Sequence, residues 1–162
     1  MLSEKILKEF EVVREAREIQ ASDIVVKNWV RMKCRYGCSL YGKSGSCPPE
    51  VPGIESCRNL VSEYSKALVL RFAPGETLEK PILDIEKSLF LDGHYKAFGF
   101  FVSPCTACPE CKPQDCPSPE RARPTPESFG IDLFETARGA GFELEILKEK
   151  TGFSPVGLVL IE

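Results

Sequence analysis

The stretch from residue 105 to residue 117 reads Cys-Thr-Ala-Cys-Pro-Glu-Cys-Lys-Pro-Gln-Asp-Cys-Pro and places four cysteines within twelve residues. The spacing is close to the bacterial ferredoxin run C-x2-C-x2-C-x3-C-P, whose first three thiolates hold three irons of a 4Fe-4S cube. The last gap is one residue longer here. The segment has little apolar surface to bury, so bound metal is expected to hold it together. The pattern therefore predicts a metal site at Cys105, Cys108, Cys111 and Cys116.

A second group of cysteines lies upstream in the pattern Cys34-x3-Cys38-x8-Cys47-Pro-Pro, which also ends in Cys-Pro. We interpret Cys34, Cys38 and Cys47 as further ligand candidates. Three thiolates leave one iron of a cube without a cysteine. Water, a carboxylate such as Glu50 or an outside ligand would complete it, and an open position would let the metal act as a Lewis acid.

The eighth cysteine, Cys57, has a simpler explanation. It falls on the apolar face of a helix predicted over residues 54–65, so we interpret it as a small buried hydrophobe. The only histidine, His94, follows a predicted helix end, where a surface residue or helix-dipole partner is the usual role. The sequence contains no nucleophile elbow, phosphate loop or dinucleotide fingerprint, so any catalysis would involve the metal.

Length and composition are those of an ordinary globular protein: 162 residues, 43% of them hydrophobic, with a mean hydropathy of −0.14. We expect one domain over residues 1–162. No apolar run reaches the roughly 18 residues of a membrane span, so we expect no membrane partner and a cytoplasmic location. In a reducing cytosol, cysteines favour metal binding over disulfides. The net charge of −3 argues against a nucleic-acid partner.

Zinc is the alternative to an iron–sulfur cluster, because both metals accept thiolates. A structural zinc site could combine Cys34-x3-Cys38 with Cys105-x2-Cys108. That arrangement leaves Cys47, Cys111 and Cys116 without a role. The spacing therefore favours one or two 4Fe-4S clusters, and zinc stays open as the alternative.

Hydrophobic periodicity predicts helices that alternate with strands. We expect helices over 3–16, 54–65, 81–92 and 129–138, strands over 24–32, 66–72 and 96–102, and a terminal hairpin of 142–147 with 156–161. This order is typical of an α/β domain: a single layered domain with a mixed β-sheet, flanking helices and the cysteine-rich loops at one end.

Several motifs together resemble the predicted metal-binding protein family, a domain family of unknown function found largely in anaerobic bacteria and archaea. They are Val30–Cys34, Tyr41–Lys43, Cys47–Pro49, the four cysteines of 105–116, Arg123–Glu127 and Gly130–Asp132. The resemblance extends from about residue 20 almost to the end of the chain. It implies a metal centre of iron–sulfur type, an anaerobic setting and seven ligands, namely Cys34, Cys38, Cys47, Cys105, Cys108, Cys111 and Cys116. It implies no particular reaction.

These observations lead us to expect a cytosolic iron–sulfur protein that transfers electrons or assists a larger redox enzyme. Its expected partner is a redox protein or a larger enzyme complex. Two alternatives remain open. One is a zinc-binding structural or adaptor protein, and the other is a metalloenzyme whose incompletely ligated cluster binds a substrate.

Overall fold

A computed structural model describes residues 1–145 and 153–162 of the chain. The helices in these residues are α1 (Leu2–Glu9), α2 (Asn28–Gly37), α3 (Ile54–Ser62), α4 (Glu79–Leu91) and α5 (Leu133–Gly139). The strands are β1 (Val13–Gln20), β2 (Lys66–Phe72), β3 (Phe98–Gly99) and β4 (Val156–Leu160). Short 3-10 turns cover Ala21–Asp23, Pro119–Arg121 and Glu127–Phe129. No helix within the described ranges is both long enough and apolar enough to cross a membrane.

The strands form one sheet in the order β1-β2-β4-β3. The predicted α/β class is confirmed, with one correction: each neighbouring pair among the described strands is antiparallel, so the sheet is not mixed. The reason is the position of β4. It lies between β2 and β3 and runs opposite to both, so the crossover through α4 does not place two parallel strands side by side.

Helices cover both faces of the sheet. Ala67 and Val69 of β2 belong to one core cluster, whereas Leu68, Leu70 and Phe72 belong to the other. Successive side chains of a strand point to opposite faces, which explains this division. Helices α3 and α5 contribute to the first cluster, and α1 and α4 contribute to the second. Burial on both faces also explains the continuous apolar run over residues 67–70 of this strand.

Several predicted elements are present with shifted ends. Strand 66–72 is found as predicted, and the helices predicted over 54–65 and 81–92 are α3 and α4. The predicted strand over 96–102 is reduced to the two residues of β3, and the helix predicted from residue 129 begins at Leu133. The second strand of the predicted hairpin is β4, but it pairs with β2 and β3.

Three predicted elements are wrong or untested. The first helix ends at Glu9, because Phe10 is extended and the residues from Val13 onward pair with β2. The strand predicted up to residue 32 gives way to α2 after one bridge between Val26 and Ile131. Residues 142–145 form no strand, and residues 146–147 of that predicted strand lie outside the described residues.

Candidate metal centre

The four downstream cysteines line one cavity of about 160 Å³. Cys105, Cys108 and Cys111 are half-buried and Cys116 is exposed. Gly45 of the upstream loop and the proline-rich chain after Cys116 also contribute to the wall. The structure thus brings all four predicted downstream residues to a single concave site, and part of the chain that follows Cys116 lines it as well.

Side chains of α4 and of the upstream loop anchor the downstream cysteine loop. Glu79, in the first turn of α4, accepts hydrogen bonds at Oε1 from the Thr106 amide (2.6 Å) and the Thr106 hydroxyl (2.8 Å). The Cys105 amide donates to the buried Ser46 hydroxyl at 3.1 Å. Because these bonds involve the backbone beside Cys105, they fix the point at which the chain enters the site.

An arginine–glutamate pair fixes the chain as it leaves the site. Arg123 donates from Nε and Nη2 to the two carboxylate oxygens of Glu86, at 2.9 and 2.6 Å. Glu86, which lies on α4, also accepts the Gly99 amide of β3 at 2.7 Å. The guanidinium lies 5.5 Å from the centre of the Phe98 ring. One carboxylate therefore joins a helix, a strand and the chain that follows the cysteine loop.

The upstream cysteines line a second, larger cavity of about 510 Å³. Cys34 lies on α2, Cys38 directly follows the last residue of α2, and Cys47 lies further along the loop after that helix. Cys47 is buried, Cys34 half-buried and Cys38 exposed. Trp29 and Lys33 of α2 share the lining with them. The structure thus brings the three predicted upstream residues to one cavity as well.

The two cysteine segments are in direct contact. The Gly45 amide donates to Cys111 Sγ at 3.3 Å, and Gln114 Nε2 donates to Glu50 Oε2 at 2.6 Å. Glu50 is thus bound to the downstream loop and does not line the upstream cavity. Although adjacent, the segments line separate cavities, with the loop around Ser46 between them.

A different carboxylate, that of Glu127, lines the upstream cavity. Its backbone carbonyl also faces Cys34 Sγ at 3.9 Å. Glu127 keeps part of its surface exposed to solvent, and desolvation by the surrounding protein raises the pKa of its carboxyl group. The cysteine spacing does not indicate Glu127. The one signal for it in the sequence is its place in the Arg123–Glu127 motif.

Burial also raises the pKa of the Cys34, Cys47 and Cys105 thiols. At Cys47 the hydrogen bonds of Ser44 and Ser46 partly oppose this effect. Thiols with raised pKa values stay protonated near neutral pH in the metal-free protein. Metal binds the thiolate form, so loading of these sites must release protons.

The seven candidate thiols are divided between the linings of two cavities, four in one and three in the other. Within residues 1–145 and 153–162, no three His, Cys, Asp or Glu side chains are grouped closely enough to hold one metal ion.

The two residues interpreted as non-ligands lie away from both cavities. Cys57 is fully buried in the core on α3, and its thiol donates to the Pro52 carbonyl at 3.4 Å. His94 Nδ1 lies 3.4 Å from the Glu162 carboxylate. The predicted burial of Cys57 is confirmed, and a packing role accounts for it.

Fold and site together define a cysteine-rich α/β domain with two adjacent thiol-lined cavities. Over residues 17–161 the chain matches the family described as "Predicted metal-binding protein (DUF2284)", and it belongs to that family. The family resemblance noted from the motifs is thereby confirmed. No curated protein and no solved structure matches the chain. Metal binding is thus the property predicted for the family to which the chain belongs.

Proposed function

We propose that this protein is a cytosolic iron–sulfur protein of anaerobic metabolism that transfers electrons to or from a larger redox system. In this proposal Cys105, Cys108, Cys111 and Cys116 hold one 4Fe-4S cluster. A second cluster is held by Cys34, Cys38 and Cys47. The observation that carries the proposal is the separation of seven thiols into two adjacent cavities of four and three.

Bound clusters of this type supply one-electron transfer. The chain's own residues provide the ligands and tune their charge. The Gly45 amide points at Cys111 Sγ, and a hydrogen bond to a thiolate stabilises its negative charge. The proline-rich chain after Cys116 restricts the access of water to the smaller cavity. In the upstream cavity Cys38 is exposed and Cys34 is half-buried.

The proposal is tested by metal analysis of protein purified without oxygen. We expect a brown protein with equal amounts of iron and acid-labile sulfide and a broad absorbance near roughly 400 nm. Colourless protein with stoichiometric zinc would falsify the proposal and favour the zinc-binding adaptor. Because air-exposed thiolates lose iron and take up zinc, the analysis must be completed anoxically.

The size of the upstream cavity favours a second candidate function, that of a metalloenzyme. A centre held by three thiolates keeps one open metal position, and about 510 Å³ of space lies beside these three thiols. An open position in a cavity permits Lewis-acid chemistry on a bound small molecule. Addition of cyanide to the reduced protein tests this candidate. A spectral change at only one of two clusters favours it, and an unchanged spectrum argues against it.

A further inference from the structure

One side of α2 carries a group of exposed side chains that we call the α2 face: Trp29, Met32, Lys33, Arg35 and Tyr36. Its apolar members follow one another at i, i+3 and i+7, the spacing of one helix side. They are 51%, 57% and 77% exposed. Large apolar side chains grouped in this way, with charges beside them, are typical of an interaction surface.

Charge is distributed unevenly along the chain. Residues 24–49, which include α2, contain five basic residues and no acidic ones. Because the whole chain carries −3, the remaining residues carry a net −8. A local positive region on an acidic molecule attracts an acidic partner to that region and repels it elsewhere.

The basic side chains of the α2 face are available to a partner. In the part of the chain that the structure describes, no carboxylate forms a salt bridge with Lys33 or Arg35. The Arg35 guanidinium lies over the Tyr41 ring at 4.8 Å and 5.9 Å from the Tyr36 ring centre. These ring contacts restrict the position of the guanidinium but supply no negative charge to neutralise it.

The α2 face continues into the upstream cavity. Trp29 and Lys33 line that cavity together with Cys34 and Cys38. A protein seated on the α2 face would therefore cover the cavity mouth and approach the upstream thiols.

We propose that the α2 face docks a small acidic one-electron carrier protein, whose carboxylates pair with Lys33 and Arg35. This inference rests on the proposed function. A cluster held by Cys34, Cys38 and Cys47 would accept the one electron that the reduced carrier loses, and no covalent bond would form or break. Trp29, Met32 and Tyr36 supply the apolar contact area, and the charges give orientation and a fast encounter.

The test is an anoxic titration of the full-length, metal-loaded protein with a purified acidic ferredoxin as the probe, at low and at physiological ionic strength. We expect binding that weakens with salt, because opposite charges are screened. The double variant Lys33→Glu/Arg35→Glu should weaken binding by about tenfold or more at low salt. Lys33→Gln/Arg35→Gln should give a smaller loss.

The matched control is Lys8→Glu/Lys87→Glu, which changes the net charge equally. Both lysines are exposed, and Lys87 lies in a surface depression that no cysteine lines. Equal weakening by both reversals overturns the proposal, as does failure of the ferredoxin to bind at low salt. Binding of a single-stranded RNA oligonucleotide, but not ferredoxin, through Lys33 and Arg35 also overturns it. Iron and sulfide assays on the same preparation test the proposed function separately.

Discussion

At the scale of single residues, Ser46 connects the two cysteine segments through one hydroxyl group. Its oxygen accepts the Cys105 amide at 3.1 Å and lies 3.0 Å from the Ser44 hydroxyl. Ser46 is buried beside Cys47, so the hydroxyl has little access to water. One small polar side chain thus sets the position of a downstream ligand candidate from the upstream loop.

The change Ser46→Ala should therefore destabilise the site. It leaves the part-buried Cys105 amide without its acceptor, which costs about 1–3 kcal/mol in the free energy of unfolding. Iron should also leave the protein faster when a ferrous chelator is added. Urea unfolding and the time course of iron release measure the two effects.

Ser39→Ala is the matched control, because Ser39 is an exposed serine of the same loop region. Its unfolding free energy and its iron release should stay close to those of the unmodified protein. If Ser46→Ala releases iron no faster than Ser39→Ala, the connection between the segments has no role in holding the site.

At the scale of elements, the pair of Arg123 and Glu86 joins α4, β3 and the chain beyond the cysteine loop. The two side chains keep only 15% and 17% of their surface exposed. Removing one partner of a pair this buried leaves the other charge uncompensated. Arg123→Ala should therefore lower the free energy of unfolding by about 2–4 kcal/mol, measured by urea unfolding.

An exposed ion pair of the same helix provides the comparison. Lys80 pairs with Asp84, and the Lys80 side chain is 83% exposed. Because solvent screens such pairs, Lys80→Ala should change the free energy of unfolding by less than about 1 kcal/mol. Similar small effects for Lys80→Ala and Arg123→Ala would mean that the Glu86 carboxylate does not organise these elements.

Some helices and strands could be predicted from local sequence and others could not. Strand 66–72 contains the short apolar run 67–70 and is followed by turn residues, and that local pattern is sufficient to predict it. Residues 24–32 contain the β-branched Val25 and Val26, which favour a strand. In the structure only one bridge forms there, between Val26 and Ile131, before α2 begins. Strand β1 continues the helical periodicity of α1, yet pairing with β2 decides its structure.

The grouping of the candidate cysteines in space was predictable from local spacing, whereas contributions from distant segments were not. Ligand candidates close in sequence stay close in space, so the grouping of Cys105 with Cys108 and Cys111 follows from spacing alone. Glu127 is brought to the upstream cavity by contacts between distant segments, among them the Lys27 amide donating to the Gly130 carbonyl at 2.8 Å and Arg31 donating to the Ser128 carbonyl at 3.1 Å. Such long-range contacts leave no trace in local spacing.

At the scale of the whole molecule, the central claim is that two separate metal centres lie side by side, one in each thiol-lined cavity. The contacts of Gly45 and Ser46 with the downstream loop bring the segments together. The two cavities share none of their seven cysteines. If each cavity holds its own cluster, the clusters should be lost independently.

The most direct measurement is the iron and sulfide content per chain of anoxically prepared protein and three cysteine variants. The account predicts about eight irons and eight sulfides in the unmodified protein, and about four of each in Cys108→Ala and in Cys47→Ala. The control Cys57→Ala should keep the full content, because Cys57 is buried in the core away from both cavities. Loss of all iron from either single variant, or half the iron from Cys57→Ala, would contradict it.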